Sequence, residues 1–215
     1  LSAFTVSFGA NPIYAFGLEN GGFTVAKPKY KFVFNSKESS DVEASVEYPL
    51  GTEPQINSYS SQPEAAVDHL AINQNEDQMT VVIDAGNRLA MSRFLKEQSM
   101  FSDEAEWTKS DYPIDSSVDP DFILMDAQQQ SLYLISSSGS FSRIDITATP
   151  TEIETGKLLD NPEEIITSAV MLAGSNSIIV GTSEGNLSQW FLVRTSGNSN
   201  DFVLTRTRVL ETQPE

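Results

Sequence analysis

From residue 167 to residue 194, TSAVMLAGSNSIIVGTSEGNLSQWFLVR, three apolar runs alternate with two short polar gaps. Each run is rich in β-branched and aromatic residues and each gap holds Gly, Asn or Ser, a pattern that predicts a three-stranded meander. The middle run, Ile178, Ile179 and Val180, lacks polar alternation, so its strand is expected to be covered on both faces. The third strand is expected to send Leu187, Phe191 and Val193 to one side and Trp190 and Leu192 to the other. A sheet apolar on both sides is stable only between two others like it.

The same plan recurs along the chain. Residues 70–73, 78–84 and 88–95 repeat it, with turns at 74–77 and 85–87. Residues 122–126, 131–136 and 140–146 repeat it again, turning at 127–130 and 137–139. A fainter copy near the start places strands at 13–18, 23–25 and 29–34, around a turn at 19–22. In the three clear copies the first strand residue precedes the second-turn glycine by 16, 17 and 18 residues: Leu70 to Gly86, Phe122 to Gly139, Thr167 to Gly185. Repeated meanders that must stack face to face are the blades of a β-propeller.

The turn glycines Gly22, Gly86, Gly139 and Gly185 fall 64, 53 and 46 residues apart. A compact blade takes about 40–50 residues, so the excess is assigned to loops. Single strands between the copies are expected to form the outer, wetter blade edges. Val42, Ala44, Val46 and Tyr48 alternate with Glu43, Ser45 and Glu47, and residues 204–210 carry Arg206 and Arg208 on one face. The stretches 37–59 and 101–121, rich in Ser and acidic residues, predict long loops. Asn161, Pro162, Glu163 and Glu164 have the form of a helix start and predict one turn before the last repeat.

The expected fold class is therefore all-β: one β-propeller-type domain over residues 1–215, with about four blade-like antiparallel meanders at 9–60, 61–113, 114–160 and 161–210. The blades form either a small closed ring or an arc of a larger propeller. Pairing of residues 3–8 with the last blade is the expected closure, because it would hide two sheet edges.

Charge narrows the partners. Thirteen Lys and Arg against thirty Asp and Glu leave a net charge of −17, and no window is rich in basic residues. Nucleic acid is not expected as a partner, since phosphate backbones need a basic face. The carboxylates would also repel free phosphate, nucleotides and an anionic bilayer. There is no cysteine, hence no disulfide framework, thiolate zinc site or cysteine nucleophile. No apolar run reaches the ~20 residues that span a bilayer, and no signal peptide is seen. The chain opens at Leu1 without a methionine, as expected of a piece excised or processed from something longer.

Candidate chemistry is sparse. His69, the single histidine, follows Asp68, and the pair is expected to tie a turn rather than to catalyse. Asp115, Asp119 and Asp121 could gather around calcium, but the spacing matches no EF-hand loop and a solvated acidic loop is preferred. Gly21, Gly22, Gly86, Gly139 and Gly185 sit between strands, so none cradles a phosphate at a helix start. Trp190 and Phe191 are expected in a blade core; Trp107 is the better candidate for an exposed aromatic at an interface, with simple packing on a loop an alternative of at least equal weight. The positions where a propeller hydrolase would carry a ring of acids read Asp68, Asp121 and Thr167, so that ring is incomplete. No catalytic, cofactor-binding or metal-binding residue is assigned, and no cofactor is expected.

The segment SIIVGTSEGNLSQWFLVR followed by FVLTRTRVL resembles the end of the large soluble insertion in the long Pst-type phosphate ABC-transporter permeases of γ-proteobacteria. The matching features are the apolar strand Ile178, Ile179 and Val180, the Gly-x-x-x-Gly turn at 181–185, the run Gln189, Trp190 and Phe191, then Val193 and Arg194, and the closing strand at 202–210. The match covers about the last fifty residues; upstream only the style of repeat agrees. The WD and Gly-His signatures of WD40 repeats are missing.

The resemblance implies a periplasmic domain held between the first and second helices of an inner-membrane permease, which works with an ATPase and a periplasmic phosphate-binding protein. Membrane attachment would come only through flanking helices absent from this chain. A non-enzymatic accessory domain acting through protein contacts is thus the expected function. The alternatives are a propeller hydrolase, or a free-standing periplasmic module for sugars or peptidoglycan with Trp107 and Tyr112 as its exposed aromatics.

Overall fold

A computed structural model describes residues 1–7, 13–27, 31–36, 42–47, 55–60, 65–73, 75–84, 88–98, 105–172, 177–195 and 201–210. Their secondary structure is entirely strand and turn. The first sheet takes β1 (Ala3–Val6), β2 (Tyr14–Gly17) and β3 (Gly22–Lys27). A separate two-stranded ribbon of β4 (Lys31–Ser36) and β5 (Val42–Glu47) intervenes before β6 (Gln55–Ser60) completes that sheet beside β3.

The other three sheets are uninterrupted meanders. The second contains β7 (Val67–Ile72), β8 (Gln78–Asp84), β9 (Leu89–Gln98) and β10 (Ala105–Ile114). The third contains β11 (Phe122–Met125), β12 (Ser131–Ile135), β13 (Ser140–Asp145) and β14 (Thr151–Lys157). The fourth contains β15 (Ile166–Met171), β16 (Ser177–Thr182), β17 (Leu187–Arg194) and β18 (Phe202–Leu210). All pairings are antiparallel. The four-stranded sheets are the blades of a β-propeller, with β1, β7, β11 and β15 as successive inner neighbours.

Three apolar cores lie between the blades. Ala15, Phe23 and Val25 of blade 1 meet Leu70, Met79, Val81 and Phe94 of blade 2. Val82 and Met91 of blade 2 meet Leu132, Leu134 and Ile144 of blade 3. Tyr133, Ile135 and Phe141 of blade 3 meet Ile178, Val180 and Trp190 of blade 4. Successive residues of β8 and β12 thus serve opposite cores, and each large side chain removed from water contributes about 1.5–3 kcal/mol. The lack of polar alternation in these runs has that cause. Among the described residues no core joins blade 4 to blade 1.

The second turns share one geometry. Gly21, Gly139 and Gly185 occupy left-handed φ of 78°, 87° and 80°, and each donates its N–H three residues back, to Leu18, Ser136 and Thr182. Glycine takes that conformation without the Cβ clash that other residues meet. Gly86 lies outside the described residues.

Several expectations need correction. Blade 1 opens at Ala3 rather than at residue 9, and its outer strand is Gln55–Ser60 rather than 42–48. Residues 31–36 pair with 42–47 apart from the blade. Closure by residues 3–8 is overturned for the strand Ala3–Val6, which pairs with β2 of its own sheet; residue 8, like Tyr48, lies outside the described residues. The stretch 101–121 is not all loop, because β10 runs beside β9 for its whole length. Asn161 begins a turn and no helix, its backbone O accepting the Glu164 N–H and its side chain the Glu163 N–H.

Candidate interaction face

Antiparallel order puts the second turn of each meander at the same end as the connection between blades. In blades 2 and 3 an aspartate ties the two together. Asp68 Oδ2 accepts the Asp84 N–H at 2.6 Å, and Asp121 Oδ2 accepts the Ser137 N–H at 2.5 Å. The equivalent tie in blade 4 is Glu164, whose Oε1 accepts from the Thr182 hydroxyl and the Asn186 amide. Asp68 and Asp121 are therefore structural clamps, and Thr167 donates its hydroxyl to the Gly181 carbonyl. The three positions do not form a ring of acids.

Electrostatics differ among these acids. Burial raises the Asp68 carboxyl above the usual range, against the Asp84 N–H that favours its charge. Hydrogen bonds from Ser137 hold Asp121 below its usual value. The Ser142 hydroxyl, with help from Ser117, does the same for Glu152. Beside Asp68, partly buried His69 is pushed down to about 4 by desolvation and stays neutral at pH 7. The expected Asp–His tie is replaced by the bond from Asp68 to Asp84.

A cavity of about 400 Å³ opens at this end, lined by Asp84, Arg88, Leu89, Ile114 and residues 115–120. Asp115 and Asp119 are exposed around it, while Asp121 is committed to Ser137. Among the described residues no three of His, Cys, Asp and Glu gather to hold a metal ion. Asp84, Asp115 and Asp119 outnumber Arg88 in this lining and make it negative on balance. An anion would meet repulsion there.

The aromatic candidates serve packing. Trp190 is buried between blades 3 and 4, as expected, whereas Phe191 is half-buried on the opposite face of β17 and belongs to none of the three cores. Trp107 packs against the core between blades 1 and 2 rather than standing free. Tyr112 packs against the next core and lies 5.3 Å beneath the Arg93 guanidinium. Neither supplies the exposed platform of a sugar-binding module.

A repeated contact at the opposite end escaped the sequence reading. Glu76 and Gln129 hold left-handed φ of 57° and 54° at equivalent places in the first turns of blades 2 and 3. Each reaches back one blade: Glu76 accepts from the Ser7 hydroxyl and Gln129 from Thr80, both at 2.6 Å. The signal was present three residues earlier, in Asn73 and Asp126, whose side chains accept backbone N–H groups of the turn.

The sheets and their stacking define a protein of the β-propeller class. The β-propeller domain of Cps50 (Swd1) from Myceliophteria thermophila matches with a TM-score of 0.56 and 11% identity, over 98% of this chain and 58% of that one. The chain thus spans less than two thirds of that domain. Candidate 6-phosphogluconolactonases from Bacteroides fragilis and Bacteroides uniformis match with TM-scores of 0.47 and 0.45, at 11% and 10% identity. Both matches cover 98% of this chain and 71% of theirs, and at these identities the likeness is one of fold. No family model and no curated protein matches the chain.

Proposed function

We propose that this propeller is a non-catalytic interaction domain, the periplasmic insertion of a Pst-type phosphate ABC-transporter permease of an inner membrane. The observation that carries the proposal is that the residues resembling that family lie on adjacent strands of one blade. Ile178, Ile179 and Val180 lie on β16, Gln189 through Arg194 on β17, and the closing strand is β18. The resemblance therefore follows three adjacent strands of one blade. In this reading the membrane part conducts phosphate, the ATPase powers it, and the insertion contacts the periplasmic phosphate-binding protein and positions it over the permease. The carboxylates around the cavity fit a role in protein contact rather than in holding phosphate itself.

The experiment is deletion of residues 1–215 from the permease, followed by measurement of phosphate uptake and of binding-protein association. Both should fall. Unchanged uptake together with unchanged association removes the proposed role.

A further inference from the structure

Away from the stack, blade 1 turns an apolar face, and blade 4 a face on which Val170, Ile179, Leu187 and Phe191 stand beside Ser177 and Gln189. On blade 1, Ala15 and Phe23 pack toward blade 2, while Phe4, Val6, Tyr14 and Phe16 lie on the other side. The Phe4 ring sits 5.3 Å from Phe16 and 6.5 Å from Tyr14, yet Phe4 remains 53% exposed. On blade 4, Ala169, Ile178 and Trp190 pack toward blade 3. Val170, paired with Ile179, lies opposite with Leu187 and Phe191, and Val170 is 51% exposed. The corresponding inner-strand residues of blades 2 and 3, Ala71 and Ile123, pack into the core between those blades.

These two faces are of complementary kinds. The blades follow the chain order, the trailing face of each meeting the leading face of the next. Among the described residues no core forms on the leading face of blade 1 or on the trailing face of blade 4. An apolar side of a repeat is ordinarily closed by a neighbouring repeat or a capping element.

We propose that both faces are covered by about three further blades of the same propeller, carried by polypeptide flanking residues 1–215. Four blades here match 58% of the Cps50 propeller, and the remaining 42% corresponds to about three blades of equal size. A second copy would bring four, one more than the gap holds. It would also bring a second net charge of −17 against the first. Flanking blades would arrive next to these faces at high effective concentration. This inference is independent of the transporter reading.

The chain has no cysteine, so single thiols report cleanly. Phe4→Cys and Val170→Cys are made in residues 1–215 alone and in the natural polypeptide, with Ala169→Cys as a reporter of the blade 3–4 core. The thiols at 4 and 170 should react rapidly in the 215-residue chain and at least about tenfold more slowly in the natural polypeptide, while the thiol at 169 is protected in both. Equal reaction at 4 and 170 in the two forms, with 169 protected, overturns the proposal. So does concentration-dependent protection in the 215-residue chain, which would assign the faces to a second copy. A natural polypeptide without further β-meanders also overturns it.

Discussion

Arg143 of β13 and Glu154 of β14 form an ion pair, Nε to Oε2 at 2.8 Å, with only 10% and 13% of their side chains exposed. The pair also staples two blades, since Arg143 Nη2 donates to the Phe202 carbonyl at 2.5 Å and Glu154 Oε1 accepts the Leu204 N–H at 2.7 Å. Removing one member leaves the other charge buried without its partner. Glu154→Gln should lower stability by about 3 kcal/mol in urea denaturation. Lys109→Met, which breaks a more exposed pair with Asp111, should cost less than about 1 kcal/mol. Equal losses from the two would refute the stapling role.

The contact between Thr80 and Gln129 gives a second prediction. The buried Thr80 hydroxyl crosses from blade 2 to the Gln129 carbonyl oxygen in blade 3. Thr80→Val keeps the shape and strands that oxygen, which should cost about 1–3 kcal/mol. Thr80→Val combined with Gln129→Leu should recover part of the loss. A double variant no more stable than the single would show that the hydrogen bond is not what the site requires.

Gly17 tests the seam between blades 1 and 2. A Cβ at this position would lie 2.7 Å from both Cβ and Cγ1 of Val67, which cannot rotate away because Cβ is fixed to the backbone. Gly17→Ala should destabilise by about 1–3 kcal/mol through overpacking. Adding Val67→Ala removes Cγ1 but keeps the Cβ contact, so it should not restore the stability of the parent. Full stability of Gly17→Ala would mean that the two blades separate freely there.

The interior strands were legible in the sequence and the wet edges were not. Ile178 to Val180 and residues 78–84 lack polar alternation because opposite cores claim successive residues, a physical cause that leaves a direct trace. Outer strands pair along one edge and meet water along the other, so Ala105–Ile114 has the composition of a loop while pairing with β9 throughout. The alternating stretch Val42–Glu47 has the pattern of an outer strand, but its partner is β4, a choice that local alternation does not encode. At the candidate face, Asp68 and Asp121 were visible as acids; their bonds to N–H groups 16 residues on depend on how the strands pack.

His69 should make stability depend on pH. In the unfolded chain it takes a proton near its ordinary value of 6.5, but in the fold only near 4. Between those values the unfolded state binds more protons, so stability falls as pH drops from 6.5 toward 4 and loses nothing further from this residue below that. The loss should be roughly 2 kcal/mol once partial exposure is allowed for. Asp121, Asp145 and Glu152, whose values are depressed, act at more acid pH: their support is complete above the unfolded values of 3.8 and 4.5 and fades as pH falls through the folded ones. Urea midpoints at pH 7 and pH 4.5 should therefore converge in His69→Gln. An unchanged gap would exclude His69 as its source.

The hairpin of β17 and β18 has a mechanical side. Leu210 pairs with Leu187, at the end of the ladder remote from the turn, and Phe202 pairs with Arg194 beside it. Tension entering beyond Leu210 loads the Leu187 pair first and opens the ladder rung by rung, until it meets the Arg143 and Glu154 contacts that hold Phe202 and Leu204 to the third blade.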